Sequence, residues 1–243
     1  MILVVALILA FVLPIVATGQ PGTGPETVVV HNGSITLDAL LWRPQGRGPF
    51  PAILLNHGSG RTREELERLG PYEGQAETLA PVFARHGYVF LCLFRQGVGL
   101  SADQGTSAVD LMNSEFAAHG QDARNALQLR LLENRELSAA ASGLAFLRGL
   151  AEVDARRVAL VAHSFGGSLT LLQAEKELNL RALVIFSGAG YSWDRSPDLR
   201  MRLLDAMANI RAPVFFIHAA NDYSTNSGKA LDAGLRGWVS RIA

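Results

Sequence analysis

Short, unbroken apolar runs recur along this chain at regular intervals, and they restrict its fold more than any other feature. The runs are residues 52–56, 88–94, 158–162, 182–186 and 214–218. None of them alternates apolar with polar residues, and such runs are typical of strands that are buried on both faces of a sheet. Helix-forming segments separate them. This order predicts an α/β fold with a doubly wound, mostly parallel sheet that is covered by helices on both faces.

The sheet is predicted to begin with an antiparallel hairpin. Two β-prone runs, 27–30 and 34–42, are separated by His31, Asn32 and Gly33. Asn-Gly between such runs is a hairpin signal because both residues tolerate a positive φ.

The intervening segments carry helix signals. Thr78 is predicted to cap a helix that has Pro81 in its first turn and ends at Gly87. A polar segment, a mostly apolar segment and two segments with apolar residues at helical spacing predict four further helices. These helices are expected at 121–134, 137–147, 165–178 and 228–243.

Charge and cysteine content exclude several classes of function. The chain of 243 residues has 22 Lys and Arg against 22 Asp and Glu, so bulk charge does not favour nucleic acid. The single cysteine, Cys92, excludes an intramolecular disulfide and a thiolate zinc site. Six histidines occur singly, without the HxxxH spacing of a metal site. We therefore expect no metal and no nucleic-acid partner.

The first residues read as a targeting segment. Residues 1–17 are apolar and carry no charged side chain, and small residues at Ala17 and Gly19 suit cleavage before Gln20. We predict a signal peptide or membrane anchor at 1–19, a Pro/Gly-rich linker at 20–26 and one domain at 27–243. The protein is expected to be exported, to the periplasm or the medium. Membrane anchoring through residues 1–17 is the first alternative, and a buried N-terminal strand is the second.

One strand-to-helix turn has the composition of a nucleophile elbow. The run at 158–162 continues directly into His163-Ser164-Phe165-Gly166-Gly167 and then into a helix. A nucleophile on such a sharp turn needs small residues two positions before and two positions after it, and these are Ala162 and Gly166. Ser164 is therefore the predicted nucleophile. An ordinary Gly-rich turn is the alternative, and nucleotide binding is a weaker one because GxGxxG and GxxxxGK[ST] are absent.

Two further turns could complete an acyl-transfer site. Backbone N–H groups near Gly58 and Ser59, together with that of Phe165, are predicted to hold an oxyanion. His57 is expected to hold this loop through hydrogen bonds. Asp222 follows the last strand, where the orienting carboxylate of a Ser–His–Asp triad belongs, although a plain turn is the alternative reading.

This ordered set of motifs resembles the α/β-hydrolase superfamily and, more narrowly, dienelactone-hydrolase-like serine esterases. The resemblance covers about residues 27–222 and rests on the segments PAILLNHGSG (51–60), RQGVGLS (95–101), AHSFGG (162–167) and AAND (219–222). It implies a pocket at the carboxyl ends of the strands, a small-molecule ester substrate and no cofactor. Dienelactone hydrolases proper use a Cys where this chain has Ser164, so the resemblance implies a general ester.

The chain departs from that family at the catalytic base. The family's histidine lies beyond the acid, but all six histidines here precede Asp222. The family's last strand and final helix are also missing, which predicts a truncated C-terminus. Three hypotheses follow: a truncated or misread serine esterase, an exported pseudo-hydrolase that binds a ligand or partner, and a hydrolase with an unusual base. His163 and His218 are expected to be structural.

Several side chains near the predicted pocket have both a functional and a structural interpretation. Between the runs at 182–186 and 214–218 lies an insertion that is expected to cap the pocket. Its Tyr191 and Trp193 could line an acyl or leaving-group site, or they could pack a surface helix. Arg61, Arg63 or Arg95 could meet an acidic substrate, while the charged run at 61–68 is by default a solvated helix face.

Overall fold

The structure is a computed structural model that describes residues 24–59 and 72–242. The predicted signal or anchor at 1–19 and the charged run at 61–68 lie outside the described residues. The predicted linker at 20–26 ends one residue too late, because the first strand already includes Glu26.

One mixed sheet forms the centre of the described fold. Its seven strands are β1 (Glu26–Asn32), β2 (Ile35–Trp42), β3 (Phe50–Asn56), β4 (Val89–Leu93), β5 (Val153–His163), β6 (Leu183–Phe186) and β7 (Val214–Ile217). Their order is β1-β2-β4-β3-β5-β6-β7. The pairs from β4 through β3, β5 and β6 to β7 are parallel. The predicted doubly wound, mostly parallel sheet is confirmed.

The N-terminal hairpin is also confirmed. β1 and β2 pair antiparallel, with Asn32 opposite Ile35. Gly33 in the turn has φ +62°, a conformation that glycine adopts without a Cβ clash. β2 then pairs antiparallel with β4, which joins the hairpin to the parallel part of the sheet.

Helices cover both faces of this sheet. They are α1 (Glu73–Arg85), α2 (Ala108–Leu131), α3 (Leu137–Gly149), α4 (Phe165–Lys176), α5 (Pro197–Met207) and α6 (Asn226–Ile242). Alternate residues of β3 enter two separate apolar clusters. Leu54 belongs to the cluster under α3 and α4, whereas Ile53 and Leu55 belong to the cluster under α1. Both faces of the strand are therefore buried, as its unbroken apolar run predicts.

The predicted start of α1 is wrong. The helix begins at Glu73, and both Thr78 and Pro81 lie inside it. The Thr78 hydroxyl donates to the carbonyl of Gly74 (2.8 Å) and so bonds back along the helix instead of capping it. The predicted end is confirmed, because Gly87 follows the helix with φ +82°.

The long helical segment after β4 is broken twice. Gly120 has φ +82° inside α2, which divides this helix in two and starts the second half where the sequence predicts a helix. A π-helical turn, Leu132–Glu136, then joins α2 to α3. It buries the carboxylate of Glu136 in the protein interior. In the described part of the chain no helix has the length and apolarity to cross a membrane.

Candidate active site

Ser164 occupies a strained turn between β5 and α4. Its backbone has φ 52° and ψ −113°, in a region that residues with a Cβ rarely adopt. Its N–H donates to the carbonyl of Phe186 (2.9 Å), and its carbonyl accepts from the N–H of Gly167 (2.9 Å). The surrounding structure holds the strain in place, as it does at many active-site nucleophiles.

Two glycines allow this turn to pack closely. A Cβ on Gly166 would lie 2.0 Å from the backbone oxygen of Asn56, and a Cβ on Gly167 would lie 2.7 Å from the Cα of Gly188. The elbow is therefore pressed against the end of β3 on one side and the loop after β6 on the other. The sequence prediction of a small residue two positions after Ser164 has this steric cause.

The loop after β6 shares the strain. Ser187 and Ala189 have φ values of 53° and 57°. In the described residues, they and Ser164 are the non-glycine positions with positive φ. The N–H of Ala189 approaches the carbonyl of Ser164 at 3.5 Å. Sequence reasoning missed this loop, and its only signal was the pair Gly188 and Gly190 directly after a strand.

The loop after β3 is fixed from within, and His57 is part of what fixes it. His57 is fully buried, and its Nδ1 donates to the carbonyl of Gly58 (2.7 Å). The N–H of Arg95 donates to His57 Nε2 (3.4 Å). Burial lowers the pKa of His57 well below its usual value, with the charge of Arg95 acting in the same direction. A neutral ring with one donor and one acceptor suits both bonds, so the expected structural role has its hydrogen bonds in place.

The helix N-terminus supplies the other predicted donor. Phe165 is the first residue of α4, and among the described residues no hydrogen bond uses its N–H. Gly58 is buried and Ser59 is half-buried at the facing loop. Ser59, Ser164 and Phe165 line the same small pocket. The structure thus brings together the serine and the candidate oxyanion groups.

A second buried network lies beneath the elbow. Asn56, at the end of β3, donates through Nδ2 to the Thr170 hydroxyl (2.7 Å) and to Oε1 of Gln173 (3.0 Å). Gln173 in turn donates to the carbonyl of Ala140 (2.9 Å). These bonds tie β3 to α4 and α3. The sequence offered no signal for them beyond polar residues within an apolar helix.

His163 lies beside Ser164 in sequence but is held elsewhere. Its Nδ1 bonds to Nε2 of Gln75 (2.9 Å), and its ring lies against Gly58, where a Cβ would be 2.5 Å from Nδ1. Burial lowers the pKa of His163, although the charge of Asp222 opposes the shift. These are contacts of the kind that the structural role expected for His163 requires.

Asp222 lies at the same end of the sheet as Ser164, because both follow parallel strands at their carboxyl ends. One Asp222 oxygen accepts from the N–H of Tyr223 (2.8 Å), and the other is 3.1 Å from Nδ1 of His218. Gly190 lies against the same carboxylate, since a Cβ there would be 3.0 Å from Oδ1. His218 thus bonds to the acid but not to Ser164, because the turn after β7 folds back over that strand's end.

Among the described residues, no histidine is hydrogen-bonded to the candidate nucleophile. All six histidines lie within residues 24–59 and 72–242, and none of them forms a hydrogen bond with Ser164. His218 Nε2 is buried without a hydrogen-bond partner in the described residues, and the ring lies against Gly228 of α6.

The pocket over Ser164 is small and mostly polar. Its volume is about 40 Å³, and it is lined by Ser59, Met112, Arg124, Gln128, Ser164, Phe165, Ser168, Ala189, Tyr191 and Ser192. Tyr191 lines this pocket, which is one of the two interpretations that its sequence left open. Trp193 does not line the pocket: it is 4% exposed and packs in the main apolar cluster. Trp193 is therefore a packing residue, because the turn that leaves Tyr191 half-buried places the residue two positions later in the core.

Arg95 is not available to an acidic substrate. Its side chain is 5% exposed and pairs with Glu136 through Nε at 2.8 Å. It also donates to the carbonyl of His57 at 3.0 Å. That hypothesis is wrong for Arg95, whereas Arg61 and Arg63 lie outside the described residues. Among the described side chains no cluster of three or more His, Cys, Asp or Glu could hold a metal ion.

One known protein family matches most of the chain, including the ordered elements described above. Residues 37–236 match the Dienelactone hydrolase family. The chain belongs to the dienelactone hydrolase family. This match includes Ser164, the loop after β3 and Asp222. No curated protein matches the chain.

Solved structures show that this family member has the α/β-hydrolase fold. It is similar to Pyrococcus horikoshii acylaminoacyl peptidase, with a TM-score of 0.62 and 17% identity over 90% of this chain and 36% of that one. It is also similar to Porphyromonas gingivalis dipeptidyl peptidase 4, with a TM-score of 0.61 and 16% identity over 90% of this chain and 31% of that one. A third similar structure is a dienelactone hydrolase-like promiscuous phosphotriesterase from metagenomic libraries, with a TM-score of 0.57 and 21% identity over 88% of this chain and 77% of that one. The chain therefore spans about a third of the length of the two peptidases.

Proposed function

We propose that this dienelactone hydrolase family member is a serine hydrolase of carboxylic esters, with Ser164 as its nucleophile. The observation that carries the proposal is the backbone of Ser164, at φ 52° on the sharp turn that begins α4. Such strain has an energetic cost of about 1–3 kcal/mol and persists where it serves a site. Here it lifts the hydroxyl to the pocket, next to the N-terminal N–H groups of a helix.

The proposed reaction is acyl transfer to water. The Ser164 hydroxyl attacks the ester carbonyl, its proton passes to a base, and the alcohol leaves; water then releases the acid and restores the serine. The N–H of Phe165 and those of Gly58 and Ser59 would stabilise the tetrahedral oxyanion. Asp222 would orient the protonated base. The helix dipole of α4 favours the negative charge at this position.

The pocket supports short ester substrates. A volume of about 40 Å³ holds only about three water molecules, so large acyl groups would have to displace its lining. Tyr191 is half-buried at this pocket and would contact the acyl or alcohol group. We therefore favour acetyl esters over long-chain esters as substrates.

A binding function is the second candidate, and one observation favours it. None of the histidines bonds to Ser164 in the described structure, so no histidine there is placed to take the hydroxyl proton. A serine without a base is a weak nucleophile. In that case the pocket would bind a small ligand without turning it over, as a pseudo-hydrolase does.

Ester hydrolysis distinguishes the two functions. The full chain is assayed with p-nitrophenyl acetate, butyrate and octanoate, beside the S164A variant. We expect hydrolysis that is fastest for acetate and is lost in S164A. Equal rates in the two proteins would reject Ser164 as the nucleophile. Saturable binding of the ester without turnover would favour the binding function.

A further inference from the structure

We propose that Arg95 is a positioning residue that sets the oxyanion hole, by fixing the direction of the peptide between His57 and Gly58. This inference rests on the proposed function of Ser164. It also goes beyond that function, because Arg95 is buried and does not touch the substrate pocket.

In the peptide between His57 and Gly58, the direction of the carbonyl fixes the direction of the N–H. Nη1 of Arg95 donates to the His57 carbonyl at 3.0 Å, which turns that carbonyl into the interior. In a trans peptide the N–H points opposite to the C=O. The N–H of Gly58 is therefore directed away from Arg95. The next residue, Ser59, lines the pocket together with Ser164.

The peptide between Gly58 and Ser59 is also fixed by a hydrogen bond to its carbonyl. His57 Nδ1 donates to the carbonyl of Gly58 at 2.7 Å, so the N–H of Ser59 is directed away from the His57 ring. The His57 ring is in turn held by the backbone N–H of Arg95, at 3.4 Å from Nε2. Arg95 thus determines both donors of the loop, one through its side chain and one through His57.

Arg95 also contacts the opposite side of the hole. The centre of its guanidinium lies 5.4 Å from the centroid of the Phe165 ring, within the range of a cation–π contact. Phe165 carries the third candidate donor at the start of α4. One buried side chain therefore spans the two elements that must keep a fixed separation around an oxyanion.

Glu136 keeps the guanidinium in this position. Its Oε2 accepts from Nε of Arg95 at 2.8 Å, and its Oε1 accepts from Nε of Arg135 at 2.8 Å. The side chain of Glu136 is 2% exposed and lies on the π-helical turn between α2 and α3. The π-helical turn is thus explained by the site, because it carries the carboxylate that orients Arg95.

The test separates positioning from stability. R95M leaves Oε2 of the buried Glu136 carboxylate without its partner and is expected to be destabilised. The double variant R95M/E136M replaces the pair by apolar side chains of similar size and is expected to recover folding. R95K keeps the charge and one donor. R148M is the matched control, since it breaks an ion pair with Glu177 (2.7 Å) away from the pocket.

Each folded variant is assayed for p-nitrophenyl acetate hydrolysis and for the rate of covalent labelling of Ser164 by a fluorophosphonate. We expect R95M/E136M to lose about 10- to 100-fold in kcat and labelling rate with little change in KM, because the oxyanion forms only in the transition state. R95K should recover part of this loss, and R148M should match the unaltered chain. Unchanged kcat in folded R95M/E136M would overturn the proposal.

A structural readout keeps this test independent of activity. If the unaltered chain neither turns over ester nor labels, the proposed function fails, and crystal structures of the unaltered chain and of R95M/E136M decide the role of Arg95. We expect the His57 carbonyl to turn away from the interior in the variant. An unchanged carbonyl direction would overturn the positioning role.

Discussion

The two halves of the candidate site are built differently. Ser164 lies among β3, β5 and α4, where the last five residues of β3 are buried and almost all of α4 is buried. Asp222 follows β7, in which no residue is fully buried and Phe215 is 64% exposed. The nucleophile half is thus part of the core, whereas the acid half lies at the edge of the described sheet.

Their polar groups differ in the same way. In the nucleophile half, the buried side chains of Asn56, His57 and Arg95 all have hydrogen-bond partners. In the acid half, Nε2 of His218 is buried with no partner among the described residues. The elbow and the oxyanion loop are thus held by paired polar groups, whereas the acid half leaves a ring nitrogen unpaired among the described residues. Substitutions in the two halves should therefore have very different effects.

The largest difference is expected at two glycines. G166A places a Cβ 2.0 Å from the backbone oxygen of Asn56, and neither backbone can move cheaply. We expect G166A to lose more than about 4 kcal/mol of unfolding free energy or to fail to fold. G234A, in the exposed part of α6 with its nearest neighbour at 3.9 Å, should gain about 0.5–1 kcal/mol. Urea unfolding of both variants checks this, and similar effects would contradict the comparison.

Substitution of side chains in β3 and β7 should show a smaller difference in stability, again with the larger loss in the nucleophile half. Leu54 of β3 is fully buried in the main cluster, so L54A should cost about 2–5 kcal/mol. Phe215 of β7 is largely exposed, and F215T should change stability by less than about 0.5 kcal/mol. Thermal unfolding of the two variants measures both. A large loss in F215T would show that the outer edge of β7 is covered in solution.

The unfolding free energy should also decrease as the pH falls, because of two buried histidines in the nucleophile half. Burial lowers the pKa of both His57 and His163, so the unfolded chain takes up protons near pH 6.5 that the folded chain does not. Unfolding free energy is therefore expected to decrease as pH falls from 7.5 to 5.5, by up to about 1.4 kcal/mol per pH unit for each such proton.

Urea titrations across this range test the pH dependence. H163N should reduce the slope because it removes one of the two titrating rings and keeps a polar group near Gln75. A flat profile in the unaltered chain would show that these histidines titrate equally in the folded and unfolded states.

The smallest effect is expected at His218. Its Nδ1 bonds to Asp222 and it has no bond to Ser164, so it is not placed as the base. H218A should keep the ester hydrolysis rate within about threefold, far from the 10²–10⁴-fold that a general base supplies. Kinetics with p-nitrophenyl acetate, beside a melting curve to show folding, measures this. A total loss in folded H218A would identify His218 as an unusual base.

The sequence predicted the parts of this molecule that depend on local patterns. Unbroken apolar runs marked the buried strands, and small residues around Ser164 marked the elbow. The start of α1 was missed because Thr78 reads as a cap while its hydroxyl bonds back to Gly74 within the helix.

Long-range pairing was beyond what the sequence could show. Nothing near Arg95 in the chain indicates Glu136 as its partner, and nothing near Asn56 indicates Gln173. Trp193 and Tyr191 have similar local contexts, yet one is a core residue and the other lines the pocket. These contacts depend on how α2, α3 and α4 pack on the sheet.

The most direct test of the central claim is covalent labelling of the full chain by a fluorophosphonate, followed by intact mass and peptide mapping. A reactive Ser164 would form one adduct per chain at that residue. We predict this adduct, its absence in S164A, and slower labelling in R95M/E136M than in R148M. A folded chain that forms no adduct at Ser164 would contradict the nucleophile assignment and leave ligand binding as the function of the site.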